Sequence, residues 1–189
     1  MTKVQLQMNV TTWYLEMLDS RELIHPQAAC LNISIEQAKI PCPEFSRFLY
    51  TSVGGDWHWT DRLAWTFDQW LEYLDRTEVQ TWVAYSQGTP AGYVELELQD
   101  DDNVEVAYFG LLRQFIGRGI GGHLLSFGVQ KAWEAGAKRV WVHTCSLDGP
   151  TALANYQARG FKLFKQTTYQ KEIPGTPVGP WNGAFPPST

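Results

Sequence analysis

Glycines dominate one stretch of this chain, FGLLRQFIGRGIGGHLLSFGVQKAWEAG at residues 109–136. Within it Gly117, Gly119 and Gly122 satisfy G-x-G-x-x-G, the spacing of a dinucleotide-binding turn. Consecutive backbone N–H groups at such a turn, opening onto a helix, can hold a phosphate. Other residues of the chain could move protons: Glu95, Glu97 and Glu105 on segments of alternating polarity, Tyr156 farther on, and His58, His143 and Cys145. A carboxylate or imidazole can take a proton from a nucleophile, and a tyrosine hydroxyl can return one to a leaving group. His58, in DWHWTD, has no second ligand at metal spacing, so no metal is expected. His143 alternates with Trp141 and reads as a satisfied core histidine, and Cys145 as an inert buried thiol. His25 and His123 carry no signal beyond their position.

Regular elements must position these groups. TTWYLEML reads as a strand, followed by Asp19 and Ser20 as caps of a short helix ahead of Pro26. LNISIE suggests a brief strand. Pro43 opens a helix through EFSRFLYTSV that Gly54 and Gly55 end, and Thr66 with Gln69 forms a capping box for FDQWLEYLDR. GDWHWTDRLAW, between them, has no clear assignment. VQTWVAYS, AGYVELELQ and VEVAYFGLL are strands joined by the turn-like QGTP and DDDN, which makes an antiparallel meander. Beyond the glycines, Leu124, Leu125, Phe127, Gly128, Ala132 and Ala135 keep helical spacing up to Gly136. RVWVHT is a strand, TALANYQAR a helix stopped by Gly160, and FKLFKQTTYQ a last strand. The domain is expected to cover residues 1–172, with a Pro- and Gly-rich tail over 173–189.

A dinucleotide fold needs its glycine turn after the first strand, with several βαβ units to follow. Here about 110 residues precede the turn and about 67 follow Gly122, so the fingerprint is a coincidence of glycines. The order that remains is meander, glycine loop, helix, strand, short helix, strand. It resembles the GNAT superfamily, the acyl-CoA N-acyltransferases, strongly over about residues 79–171 and loosely before them. In that family a Q/R-x-x-G-x-G/A loop holds the coenzyme A pyrophosphate on its backbone N–H groups. Gly119 and Gly121 match the two family glycines, with Ile116 where Gln or Arg is usual and Arg113 where proline often stands. A shifted register, from Gln114 through Gly117 to Gly119, also satisfies the pattern but fits the helix start less well. A second family signature, N-x-x-A-x-x-x-Y-x-x-x-G-F, is met in DGPTALANYQARGF by Ala152, Tyr156, Gly160 and Phe161, with Gly149 in place of Asn.

The resemblance implies an α/β GNAT fold: a mixed, mostly antiparallel sheet with a splayed strand pair and flanking helices. It implies acetyl-CoA as co-substrate, held by Gly117, Arg118, Gly119, Ile120, Gly121 and Gly122, with Arg113 or Arg118 adding a charge-assisted bond. The backbone of Leu111 and Arg113 would pair with the pantetheine arm, Leu111 offering an N–H to the thioester oxygen, and Asn155 or Asp148 would meet the same arm. A lysine-like amine of pKa near 10.4 is only about 1 part in 2,500 neutral at pH 7, a cost near 4.6 kcal/mol, so a general base matters. Glu105 is the first candidate because it stands 14 residues before Gly119, the family spacing, with Glu95 and Glu97 as rivals. Tyr156 matches the tyrosine that protonates the departing thiolate. In the family, residues matching about 43–75 shape the acceptor pocket. There Trp57, Trp59, Trp65, Tyr50 and Asp56 form either an aromatic, mildly acidic slot for an amine or a Trp-heavy piece of core.

Composition narrows the partners. A formal net charge of −5 does not suggest nucleic acid and mildly favours a cationic acceptor, a small molecule or a peptide amine. Cys30, Cys42 and Cys145 are an odd number without C-x-x-C, which fits a reducing cytoplasm. The start MTKVQLQMNVTTWYLEM lacks a signal-peptide pattern, and no window approaches a membrane span. The expected activity is acetyl transfer to a primary amine. Transfer of a longer acyl group, an O-acceptor, and a catalytically weak acyl-CoA sensor are the alternatives, and a homodimer is left open.

Overall fold

The computed structural model of the chain describes residues 5–27, 32–175, 179–181 and 184; Cys30 and most of the expected tail lie outside them. The elements in chain order are β1 (Gln5–Met17), β2 (Ile33–Gln37), α1 (Pro43–Gly54), α2 (Phe67–Leu74), β3 (Val79–Ser86), β4 (Thr89–Gln99), β5 (Asn103–Leu111), α3 (Ile120–Glu134), β6 (Arg139–Cys145), α4 (Ala152–Ala158) and β7 (Lys162–Pro174). A short 3-10 turn, Ser20–Glu22, follows β1 and is capped by the Asp19 side chain. The strands form one sheet in the order β2-β3-β4-β5-β6-β1-β7. Every neighbouring pair is antiparallel except β5 and β6.

Local sequence explains most of these elements. Pro43 sits in the first turn of α1, where its missing N–H costs nothing. Thr66 and Gln69 make the expected reciprocal cap of α2. Alternation along β4 and β5 sends Val94, Leu96, Val104 and Val106 to one face, where they join Val140 and Val142 of β6. Leu124, Leu125, Val129 and Ala132 of α3 cover them. Truncating one such leucine to alanine costs about 2–5 kcal/mol. The opposite face carries Val83 and Tyr93 and is covered by Leu49 and Val53 of α1.

Two strands run longer than their sequence suggests. β1 begins at Gln5 rather than Thr11, and β7 continues to Pro174, so Ile173, expected in the tail, is buried and pairs with Leu6. Residues 6–9 of β1 and most of β7 are exposed, which removes from those stretches the apolar alternation that marks a strand. Of the described helices, none is long and apolar enough to cross a membrane.

The sheet opens at its centre. The β5–β6 ladder holds Asn103↔Arg139, Val104↔Val140 and Glu105↔Trp141, yet β5 continues to Leu111 and β6 to Cys145. The β4–β5 register shows why they part. Glu95 faces Tyr108 and Leu96 faces Val106, leaving Ala107 as an extra residue. Such a bulge bends its strand and sharpens the twist. It also returns Tyr108 to the face that carries Glu105 and Glu95.

Candidate active site

A cavity of about 820 Å³ occupies the gap between the parted strands. From the α3 and α4 side it is lined by Gly117, Gly119, Gly121, Gly122, Asn155 and Tyr156. Trp57, His58, Trp59 and Asp61, in the loop between α1 and α2, line it as well. Leu111 and Tyr108 of β5, His143 and Cys145 of β6, and Tyr169 and Lys171 of β7 complete much of the wall.

The glycine turn is built for close approach to backbone. Gly117 has φ +81° and Gly119 φ +79°, conformations that cost an L-residue about 1–2 kcal/mol. Gly119 is the N-cap of α3 and has no side chain with which to cap the first N–H groups of the helix, an end where the dipole favours an anion. Ile120 packs its side chain into the core, and Arg118 lies with its guanidinium 5.6 Å from the Phe115 ring. Just past β5, Leu112 N–H donates to Ala91 O (2.9 Å), and Leu111, the last residue of the strand, is the direct partner of Gly92. By alternation the Leu111 N–H turns the other way, toward the gap. The Arg113 side chain is engaged elsewhere, donating to both Asp56 oxygens at 3.0 and 2.7 Å. That pair ties the turn after β5 to the loop after α1.

Tyr156 is almost fully buried beside the cavity, its ring edge-on to Phe109 and Phe161. Burial, with a smaller contribution from Asp148, holds its hydroxyl well above the usual phenol range. Asn155 borders the cavity from the same helix. Asp148 accepts from Thr144 Oγ1 (2.7 Å), Cys145 N (2.8 Å) and Trp59 Nε1 (3.4 Å). It therefore fastens the Trp59 loop to the end of β6.

The three candidate carboxylates have different surroundings. Glu95 is buried and accepts from Arg62 Nη1 at 2.8 Å and from Tyr73 Oη at 2.9 Å. Burial opposes the Arg62 charge, but Glu95, joined by Tyr73 and Tyr108, holds the guanidinium above its ordinary pKa. Glu97 accepts from Arg76 Nη1 at 2.7 Å. Glu105 accepts from Gln99 Nε2 at 2.8 Å and lies 3.3 Å from His143 Nδ1.

His143 corrects its sequence reading. It is no core residue: its side chain is 48% exposed and borders the cavity. Its juxtaposition with Glu105 comes from the parallel β5–β6 register, which places Glu105 beside Trp141. Trp141 and His143 alternate along β6, and that alternation alone does not say which face they take. His58 also borders the cavity, at φ +56°, and its Nδ1 is buried without a hydrogen-bond partner among the described residues. Burial, then Lys171, lowers its pKa. Cys145 borders the cavity too, and burial pushes its thiol up, in keeping with an unreactive group. No group of three or more metal-ligating side chains occurs among the described residues.

The tryptophan-rich interval divides between its two readings. Trp57 and Trp59 line the cavity. Trp65 packs against Trp70 and Tyr73, and Arg62 lies over Trp65 and Tyr73 at 4.8 and 4.1 Å. Tyr50 is buried beneath Trp59 and Tyr108, and its hydroxyl accepts from Arg62 N at 3.3 Å.

Comparison with known proteins agrees with this architecture. The profile of the acetyltransferase (GNAT) family matches residues 38–161. Over 86 residues the chain is 34% identical to a mycothiol acetyltransferase of Corynebacterium aurimucosum, covering 44% of this chain and 28% of that protein. A GCN5-related N-acetyltransferase from Kribbella flavida superposes with a TM-score of 0.62 at 19% identity, covering 89% of this chain and 60% of that one. An IAA acetyltransferase from Bacillus cereus superposes with a TM-score of 0.51 at 25% identity, covering 70% and 79%. The chain thus matches 28% of the length of its curated relative and 60% of the Kribbella chain. The structural likenesses show a shared fold. With well over half of its residues matched by the family profile, the chain belongs to the acetyltransferase (GNAT) family.

Proposed function

We propose that this protein transfers the acetyl group of acetyl-CoA directly to a primary amine, with both substrates bound together. One observation carries the reading: a continuous cavity joins the glycine turn, the parted strands and the aromatic loop. The α3 N-terminus and Gly117, Gly119, Gly121 and Gly122 take the pyrophosphate, with Ile120 contributing its backbone N–H and Arg118 its charge. The Leu111 and Arg113 backbone pairs with the pantetheine, Asn155 bonds its amide, and the Leu111 N–H meets the developing oxyanion. Tyr156 keeps its proton at neutral pH and gives it to the departing thiolate, while Glu105 supplies the basicity that removes the amine's proton. Trp57, Trp59 and Tyr108, with Asp61 beside them, attract a cationic acceptor, a small molecule or a peptide amine. The mycothiol acetyltransferase likeness covers less than half of the chain, so the acceptor is argued from this cavity. A reducing cytoplasm suits the free thiols of Cys42 and Cys145.

Thermal unfolding with acetyl-CoA or NAD tests the reading. Acetyl-CoA at about 100 times its Kd stabilises by about 2.7 kcal/mol, and NAD leaves the transition where it was. The reverse ranking ends the proposal. Gly119→Val places a β-branched side chain at φ +79° and on the cavity wall, so calorimetry should find acetyl-CoA binding lost.

A further inference from the structure

Glu105 is the base of the reading above, yet of the two side chains it is His143 that borders the cavity. The carboxylate sits behind the imidazole, Oε1 facing Nδ1 at 3.3 Å, and its side chain is 13% exposed against 48% for His143. The other oxygen, Oε2, accepts from Gln99 Nε2 at 2.8 Å, and Gln99 Oε1 in turn accepts from Trp141 Nε1 at 2.9 Å. Trp141 also stacks on His143, with ring centroids 6.1 Å apart and planes inclined by 30°. Tyr14 of β1 flanks the imidazole at 6.0 Å. Trp141, Gln99 and Glu105 thus form a chain that fixes the carboxylate against one nitrogen of an imidazole held beside two aromatic rings.

We propose that His143 takes the acceptor's proton at Nε2, and that Glu105 is a positioning residue that receives the Nδ1–H and stabilises the imidazolium. The inference rests on the acetyl-transfer reading and names the group that meets the amine. An oriented imidazole suits this task because its neutral form offers one lone pair and its ordinary pKa lies near 6.5. In the reaction the amine nitrogen bonds to the thioester carbon and the carbon–sulfur bond breaks. The nitrogen's proton goes to His143 Nε2, and the coenzyme thiolate takes a proton from the Tyr156 hydroxyl. Solvent then removes the proton from His143 and restores that of Tyr156, leaving amide and free thiol.

The electrostatic setting agrees. The contact with Glu105 raises the His143 pKa, burial opposes the rise, and Asp148 and Asp61 add to it. Tyr14 faces the ring from β1, with Lys165 of β7 at 4.9 Å from the Tyr14 centroid. Cys145 and Lys171 share the cavity wall.

The test follows the His143 imidazole by nitrogen NMR, assigned among the four histidines by its loss in His143→Asn. Initial rates are measured in parallel with acetyl-CoA and 2-phenylethylamine or spermidine. His143 should titrate above its ordinary pKa in the wild type and lower in Glu105→Gln, with Glu105→Asp in between. Both His143→Asn and Glu105→Gln should slow acetylation about 10²-fold or more at pH 7. Acetyl-CoA affinity, measured by calorimetry, should stay unchanged in both and serves as the control for folding. An unmoved titration in Glu105→Gln overturns the positioning role. Wild-type turnover by His143→Asn, with Glu105→Gln inactive, shows that Glu105 acts directly and overturns the inference while sparing acetyl transfer. If wild type binds no acetyl-CoA or acetylates neither amine, the acetyl-transfer reading fails and takes this one with it.

Discussion

Glu95 and Glu105 project from the same face of neighbouring strands, and their surroundings give them opposite characters. Glu95 has 2% of its side chain exposed and is matched to Arg62, itself 8% exposed, beneath a layer of Trp65, Tyr73 and Tyr108 rings. Glu105 is matched to an imidazole open to the cavity. A guanidinium does not release its proton in a protein, so Arg62 keeps its charge, and its bond to Glu95 holds the loop after α1 against the sheet. An imidazole exchanges its proton near neutral pH, so the Glu105 pair can change charge. The partner, more than the carboxylate, decides which glutamate can do chemistry.

The comparison breaks most decisively at Glu95. Glu95→Ala leaves a buried guanidinium unmatched and should cost about 3–5 kcal/mol in urea unfolding, whereas Glu105→Gln should stay within about 1 kcal/mol. Equal losses would mean that the two carboxylates do not differ in kind. Replacing both buried partners, as Glu95→Leu with Arg62→Met, should restore much of that stability, because no lone charge remains. A smaller effect is expected from Tyr73→Phe, which removes one hydrogen bond to Glu95: about 1.5–3 kcal/mol in stability, with acetyl-CoA affinity unchanged.

The smallest effect is one of pH. The His143 pKa is raised in the folded protein, so its contact with Glu105 adds stability that is fully present below the unfolded value near 6.5. That contribution fades as pH rises through the folded pKa. The melting temperatures of wild type and Glu105→Gln should therefore differ more at pH 6 than at pH 9. With His143 half-exposed, the gap should stay within about 1 kcal/mol. A gap that widens with pH would contradict the pairing.

Local signals in the sequence located the meander, the α2 cap and the glycine turn, because spacing and turn chemistry act over a few residues. The ends of β1 and β7 escaped it, since exposed strands leave no apolar alternation. Contacts between distant segments escaped it as well. The meeting of Glu105 and His143 depends on the parallel register of β5 and β6, where a slip of one residue would turn every side chain to the other face. Arg62 and Asp56 sit in a loop without periodicity, so nothing marked them as partners of Glu95 and Arg113. The distance from Gly119 singles out Glu105 in the sequence, but no spacing in it marks the imidazole that stands beside that carboxylate.

Three rungs joining β5 to β6 make the sheet two panels on a short hinge, β2 to β5 on one side and β6, β1 and β7 on the other. A guest chain whose amides complete the missing rungs would brace both panels at once. If the proposed acyl donor is that guest, survival against proteolysis should rise and fall with its supply.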